Sequence, residues 1–184
     1  MFFSVNPVVP IIDLRQNNRD HRKIMVIDGC IGFTGGINLA DEYINEKVRF
    51  GKWKDNVIML EGEAVFGLTS MFLSTYMLVS KSKLDVNYNE FLPANYAAEH
   101  HIPTITKGYV QCYGTTPGYQ ESIGEDVYIN LCLKAKKYIY IATPYLIPSE
   151  SMLAAIKLAA KNGVKVILLM PHIPDKKALF DLSR

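Results

Sequence analysis

Short apolar runs broken by turn residues fill the first third of the chain. Residues 1–22 carry Pro7, Pro10 and an Asn/Arg/Asp cluster and read mostly as loop. Two apolar runs follow, Lys23 to Asp28 and Ile31 to Thr34, on either side of Asp28-Gly29-Cys30, which predicts a β-hairpin. From Asp55 to Glu61, Val57 and Met59 oppose Ile58 and Leu60, so a strand buried on both faces is expected. Gly62 ends that run, and Glu63 to Val79 has the look of a helix.

Between Ser80 and Lys107 the periodicity dissolves, and the text reads as a connecting segment. Gly108 to Tyr113 then reads as a strand, residues 115–118 as a loop, and Ser122 to Lys137 as a helix. Tyr138 to Ala142 is β-rich and is broken by Thr143-Pro144-Tyr145. Ser149 is a candidate N-cap for a helix running to Asn162, with Gly163 placed for a left-handed C-terminal residue. Val164 to Met170 predicts a second buried strand. Strand, helix and strand in that order imply a parallel crossover, hence an α/β unit. Loops at the carboxyl ends of such strands, Thr143–Pro148 and Pro171–Asp175, are candidate site walls.

Composition narrows this picture only a little. The chain has 184 residues, 49% of them apolar and 21% charged, as expected of a folded globular protein. A formal net charge of +2 is too small to point to nucleic acid or to an anionic surface. Cys30, Cys112 and Cys132 are odd in number and widely spread, which predicts three buried, inert thiols in a reducing compartment. The uncharged stretch from Ala64 to Ser80 is at the short limit for a membrane span and is interrupted by hydroxyl residues, so it predicts a buried or interfacial helix.

The chemistry concentrates in residues 21–38. His21-x-Lys23-x4-Asp28 is followed at fixed distance by Gly35-Gly36-Ile37-Asn38. On an extended strand His21 and Lys23 point to the same face, setting a nucleophile beside a cation over one phosphate. Imidazole can attack phosphorus, and an ammonium suits the non-bridging oxygens. Gly35 and Gly36 allow backbone to approach an anion, and Asn38 can donate an amide hydrogen bond. Asp28 lies an odd number of residues from His21 and faces away in a straight strand, so it either fixes the lysine or the loop. His100, His101 and His172 lack the matching Lys and Asp, and no Cys or carboxylate cluster accompanies them. Neither a metal nor a cofactor is therefore expected.

His-x-Lys-x4-Asp-x6-Gly-Gly-x-Asn resembles the active-site motif of the phospholipase D superfamily, and the text from Asn18 through Asn38 resembles the first such motif of bacterial cardiolipin synthases. Trp53-Lys54-Asp55, Glu61-Gly62-Glu63-Ala64-Val65, Thr143-Pro144-Tyr145-Leu146-Ile147-Pro148 and Ala159-Ala160-Lys161-Asn162-Gly163-Val164 agree with that branch. The resemblance implies a phospholipase D-like α/β fold, with mixed or parallel sheet flanked by helices. It also implies metal-independent, two-step phosphatidyl transfer between two phosphatidylglycerol molecules through a phosphohistidine. His21 would be nucleophile or acid–base partner, Lys23, Gly35, Gly36 and Asn38 would hold phosphate, and Asp28 would support them. Asp55 stands where the family has an acidic residue that orients the histidine.

The second motif that this chemistry needs is absent from these 184 residues. Residues 1–80 therefore read as the closing part of a first phospholipase D-like half, 81–107 as a connector and 108–184 as the opening part of a second. These incomplete pseudo-repeats are expected to pack as one circularly permuted repeat and to turn over poorly alone. By resemblance the parent protein acts at the cell membrane, which it meets through parts outside this chain. Two alternatives stay open: a single-motif phosphodiesterase or nuclease that completes its site as a homodimer, and a non-catalytic remnant that binds phosphate or lipid headgroups.

Overall fold

The computed structural model describes residues 20–49, 51–80, 87–93, 108–116 and 120–172. The chain divides into two compact units, one containing residues 53–114 and the motif, the other containing residues 115–184. The first holds strands β1 (Lys23–Ile27), β2 (Ile31–Gly35) and β3 (Val57–Glu61) and helix α1 (Val65–Ser80). The second holds α2 (Ile123–Lys134), β4 (Tyr138–Ala142), α3 (Glu150–Lys161) and β5 (Lys165–Leu169). This is the expected mixture of helix and sheet. The described strands form two sheets, β1-β2-β3 in the first unit and β4-β5 in the second.

The predicted hairpin forms. Ile27 pairs with Ile31 in an antiparallel register, and Asp28 and Gly29 turn the chain with φ of 52° and 71°. Those left-handed angles account for Asp-Gly at this place. A side chain at Gly29 would also meet the Phe91 carbonyl oxygen at 2.6 Å. That carbonyl belongs to a short 3-10 turn, Tyr88–Phe91, within the stretch read as a connector.

Helix α1 covers one face of the first sheet. Val65, Leu68 and Leu73 are buried, and a Cβ on Gly32 of β2 would lie 2.8 Å from a Leu68 methyl. Side chains alternate across a strand, so Arg22, Ile24 and Val26 face the helix while His21, Lys23, Met25 and Ile27 share the opposite face. That opposite face is open: Met25, Val57 and Met59 are all more than half exposed. The expectation that β3 is buried on both faces is therefore corrected. It is an edge strand, and Ile58 is exposed as well.

Residues 108–113 do not form the predicted strand. They lie against α1 instead, where the absent side chain of Gly67 makes room for Cys112, whose Cβ would stand 2.8 Å from a Cβ at that glycine. The Cys112 thiol donates to the Ala64 carbonyl at 3.4 Å. With no strand alongside, the β-prone composition of this segment finds no ladder. Cys112 is half-buried rather than buried, and all three thiols are free.

In the second unit the crossover forms as predicted, with β4 parallel to β5 and Tyr138 opposite Lys165. Cys132, Ala155 and Ile156 make its core, with Ile139, Ile141 and Val166 packed against them. The Ser149 hydroxyl accepts the Met152 N–H at 3.1 Å and donates to the Glu125 carboxylate, so it caps α3 and ties it to the start of α2. Gly163, at φ 86°, ends the helix as its position predicts. Strand β5 is less buried than expected, with Leu169 66% exposed, since a two-stranded sheet has no central strand. Among the described residues no helix is long and apolar enough to cross a membrane.

Candidate active site

Three chain segments converge at one end of the first sheet. The register sets Lys23 opposite Gly35, and Gly35 opposite Val57. The residues just outside these strand ends, His21 before β1, Gly36 and Asn38 after β2, and Asp55 before β3, are thereby gathered from 35 positions of sequence. The antiparallel order does this: a strand that begins at this end lies beside one that finishes there.

His21 and Lys23 meet as their spacing predicts. The Lys23 ammonium lies 2.9 Å from His21 Nε2 and donates to the His21 carbonyl at 2.7 Å. An ammonium has only donors, so in this contact Nε2 accepts, and its lone pair is engaged by Lys23 until another acceptor takes the ammonium. Burial lowers the pKa of Lys23, while the nearby charges of Asp55 and Asp20 oppose that effect. His21 itself is exposed.

The paired glycines have a steric reason. A Cβ on Gly35 would collide with the Asn56 carbonyl oxygen, and one on Gly36 would lie 2.7 Å from Asp55 Oδ1. The Gly36 N–H donates to that same Asn56 carbonyl at 3.3 Å, so β2 and the approach to β3 are in backbone contact. Asn38 is half-buried on the segment that leaves this end of the sheet.

Asp28 is not brought to the cluster. It occupies the hairpin turn at the far end of β1, on the order of 20 Å from His21 at strand rise, and its side chain is exposed. Its left-handed backbone shapes the turn. Asp55 does reach the cluster, but its hydrogen bond goes to Trp53, whose indole N–H donates to Oδ2 at 2.7 Å, rather than to His21.

Sequence reasoning missed the groups that hold this end in place. Arg22 donates to both Asp20 oxygens, through Nε at 2.9 Å to Oδ1 and through Nη2 at 2.6 Å to Oδ2. Arg22 Nη2 also reaches the Thr75 hydroxyl on α1 at 2.9 Å. The fork pulls the Asp20 carboxyl down to a pKa of about 2. These residues flank His21 on the face toward α1, so the histidine is carried on a strand end pinned from behind. Asp20-x-Arg22 at same-face spacing was a readable signal, but Thr75 lies 53 residues from Arg22. His100 and His101 lie outside the described residues, and His172 is exposed in the second unit. No group of three or more metal-ligating side chains occurs among the described residues.

Comparison with known proteins agrees with the motif. Residues 128–183 match the family model described as "Cardiolipin synthase, PLD-like domain". The chain is 36% identical to a cardiolipin synthase of Geobacillus kaustophilus over 96% of its own length. It is 39% identical to cardiolipin synthase 2 of Bacillus cereus over 100% of its length. An uncharacterized protein of Streptococcus mutans serotype c is 46% identical over 97% of the chain. The chain spans about a third of these relatives, between 34% and 37% of their lengths. No solved structure matches it. With the motif at the open end of the first sheet and this likeness along nearly every residue, the chain belongs to the phospholipase D superfamily, on the side of the bacterial cardiolipin synthases.

Proposed function

We propose that this chain carries one half of the active site of a cardiolipin synthase-type phosphatidyltransferase. The observation that supports it most is the His21 Nε2–Lys23 Nζ contact of 2.9 Å on the open face of the sheet. A phosphodiester oxygen that drew the ammonium to itself would free the Nε2 lone pair beside it for attack. In the reaction we infer, Nε2 attacks the phosphorus of one phosphatidylglycerol, a histidine–phosphorus bond forms, and the bond from phosphorus to the departing glycerol oxygen breaks. That oxygen takes a proton from an acid. A hydroxyl of a second phosphatidylglycerol then attacks phosphorus, passes its proton to the same group acting as base, and frees the histidine. Lys23, Gly36 and Asn38 hold the phosphate oxygens, and Asp28 acts on the turn alone.

The acid has to come from outside the motif present here, because the chain contains one His-x-Lys-x4-Asp and no second. In this reading residues 1–80 close one phospholipase D-like half, 81–107 connect, and 108–184 open the next. The missing histidine belongs to the longer protein, which works at the cell membrane, or to a second copy in a homodimer. The chain alone is then a poor catalyst.

The test is covalent capture. Exposed to phosphatidylglycerol vesicles and quenched in alkali, the chain should gain the mass of one phosphatidyl group, slowly, and His21→Ala should gain none. Equal labelling of wild type and His21→Ala, or no labelling even when a chain carrying the second motif is added, would defeat the reading.

A further inference from the structure

Asp55 presents a difficulty for the proposed phosphate site. It is an anion beside a place built to receive one, and of the charges acting on Lys23 it is the strongest, ahead of Asp20. Left to itself, a carboxylate so close to an ammonium closes an ion pair and competes with any phosphate for it. In the structure one of its oxygens is engaged elsewhere and the other is turned aside. Oδ2 accepts the Trp53 indole N–H at 2.7 Å, and Oδ1 is turned toward Gly36, within 2.7 Å of where a Cβ would stand.

The indole is itself held on two sides. Asn45, in a left-handed conformation at φ 64°, accepts the Trp53 backbone N–H at 2.6 Å and donates to the Trp53 carbonyl at 2.9 Å. The Tyr43 ring meets the Trp53 ring edge-on, with centroids 4.9 Å apart and planes at 86°. A tryptophan fixed at both backbone and ring, with its one donor aimed at a carboxylate, is more elaborate than packing requires.

We propose that Trp53 is a positioning residue of the phosphate site: its indole N–H keeps the Asp55 carboxylate against Gly36 and off Lys23, so that the ammonium stays available to a phosphate oxygen. The inference rests on the phosphate-site reading above. It assigns Asp55 a different state from a direct partner of Lys23 or His21, and it makes Tyr43 and Asn45 the supports of that state.

Inorganic phosphate binding to the full chain, followed by the His21 and Lys23 side-chain resonances, separates the possibilities. Trp53→Phe keeps a ring and loses the N–H. It should weaken phosphate binding about fivefold, the scale of one partly exposed ion pair. Adding Asp55→Asn to that variant should bring the affinity back, because the competing charge is gone. A purely structural role for Trp53 predicts no such rescue. Trp53 is the single tryptophan of the chain, so its indole N–H gives one cross-peak, which should move in Asp55→Asn without any change to Trp53. An unmoved cross-peak, unchanged affinity in Trp53→Phe, or a loss that Asp55→Asn does not rescue would each overturn the positioning role alone. No phosphate-induced shift at His21 or Lys23 in the wild-type chain would overturn the site reading, and the positioning role with it.

Discussion

The two units hold their helices to their strands by different means. In the second, α3 is fixed from its ends and its apolar face: Ser149 caps it and bonds Glu125, Gly163 releases it, and Ala155 and Ile156 are buried against Cys132. In the first, α1 has an apolar contact through Val65 and Leu68, but the strand end that carries His21 is tied to it by the Asp20–Arg22 ion pair and its bond to the Thr75 hydroxyl. Apolar packing tolerates small shifts in direction, whereas a bidentate fork does not. The unit that carries the motif uses the fork, and the other uses packing and caps. The family model falls on the second unit, while the motif lies in the first.

Three substitutions would break or sharpen that contrast. The largest effect belongs to the packed core: Ile156→Ala should cost about 3 kcal/mol, through lost burial and the cavity left behind. Amide exchange in α3 and β5 would show it, and a cost near zero would mean the core is not what holds this unit. Ser149→Ala comes next at about 1 kcal/mol, from one lost cap and one lost bond to α2. Urea denaturation followed at α3 would measure that. The smallest is Asp20→Asn, under about 1 kcal/mol at neutral pH because both partners of the fork are partly exposed.

Asp20 also carries a sign. Its carboxyl pKa is lowered in the folded chain from 3.8 to about 2, so the folded state holds fewer protons than the unfolded state between those values. The stability it contributes is present above pH 3.8 and is lost as pH falls through about 2. A urea midpoint for the first unit that drops across that window in wild type, and drops less in Asp20→Asn, is the expected outcome. Identical acid limbs would remove the fork from the account.

Local chemistry was the legible part of the sequence. Asp28-Gly29 between apolar runs specified its hairpin, Ser149 and Gly163 bracketed their helix, and the spacing of His21 and Lys23 put both on one face. Each depends on neighbours within a turn or a strand. What was misread depends on distant cover. The alternation of β3 cannot report that Ile58 is exposed, and the composition of residues 108–113 cannot report that Gly67 opens a place for Cys112 on a helix. At the site, the motif and its resemblance pointed to His21, Lys23, Gly35, Gly36, Asn38 and Asp55, and also to Asp28, which lies in the hairpin turn instead. The Thr75 contact, made across 53 residues, and the indole that occupies Asp55 were visible only in three dimensions.

Gly67 and Cys112 have one more consequence. A thiol reacts as its thiolate, and burial raises the pKa of all three cysteines here, so none reacts readily while its surroundings stay closed. They sit at three different places: Cys30 in the hairpin turn, Cys112 where residues 108–114 lie on α1, and Cys132 in the core of the second unit. Their alkylation rates are thus three separate clocks for local opening, supplied by the natural sequence. Cys112, being only half-buried, should run fastest and report when its segment lifts from the helix.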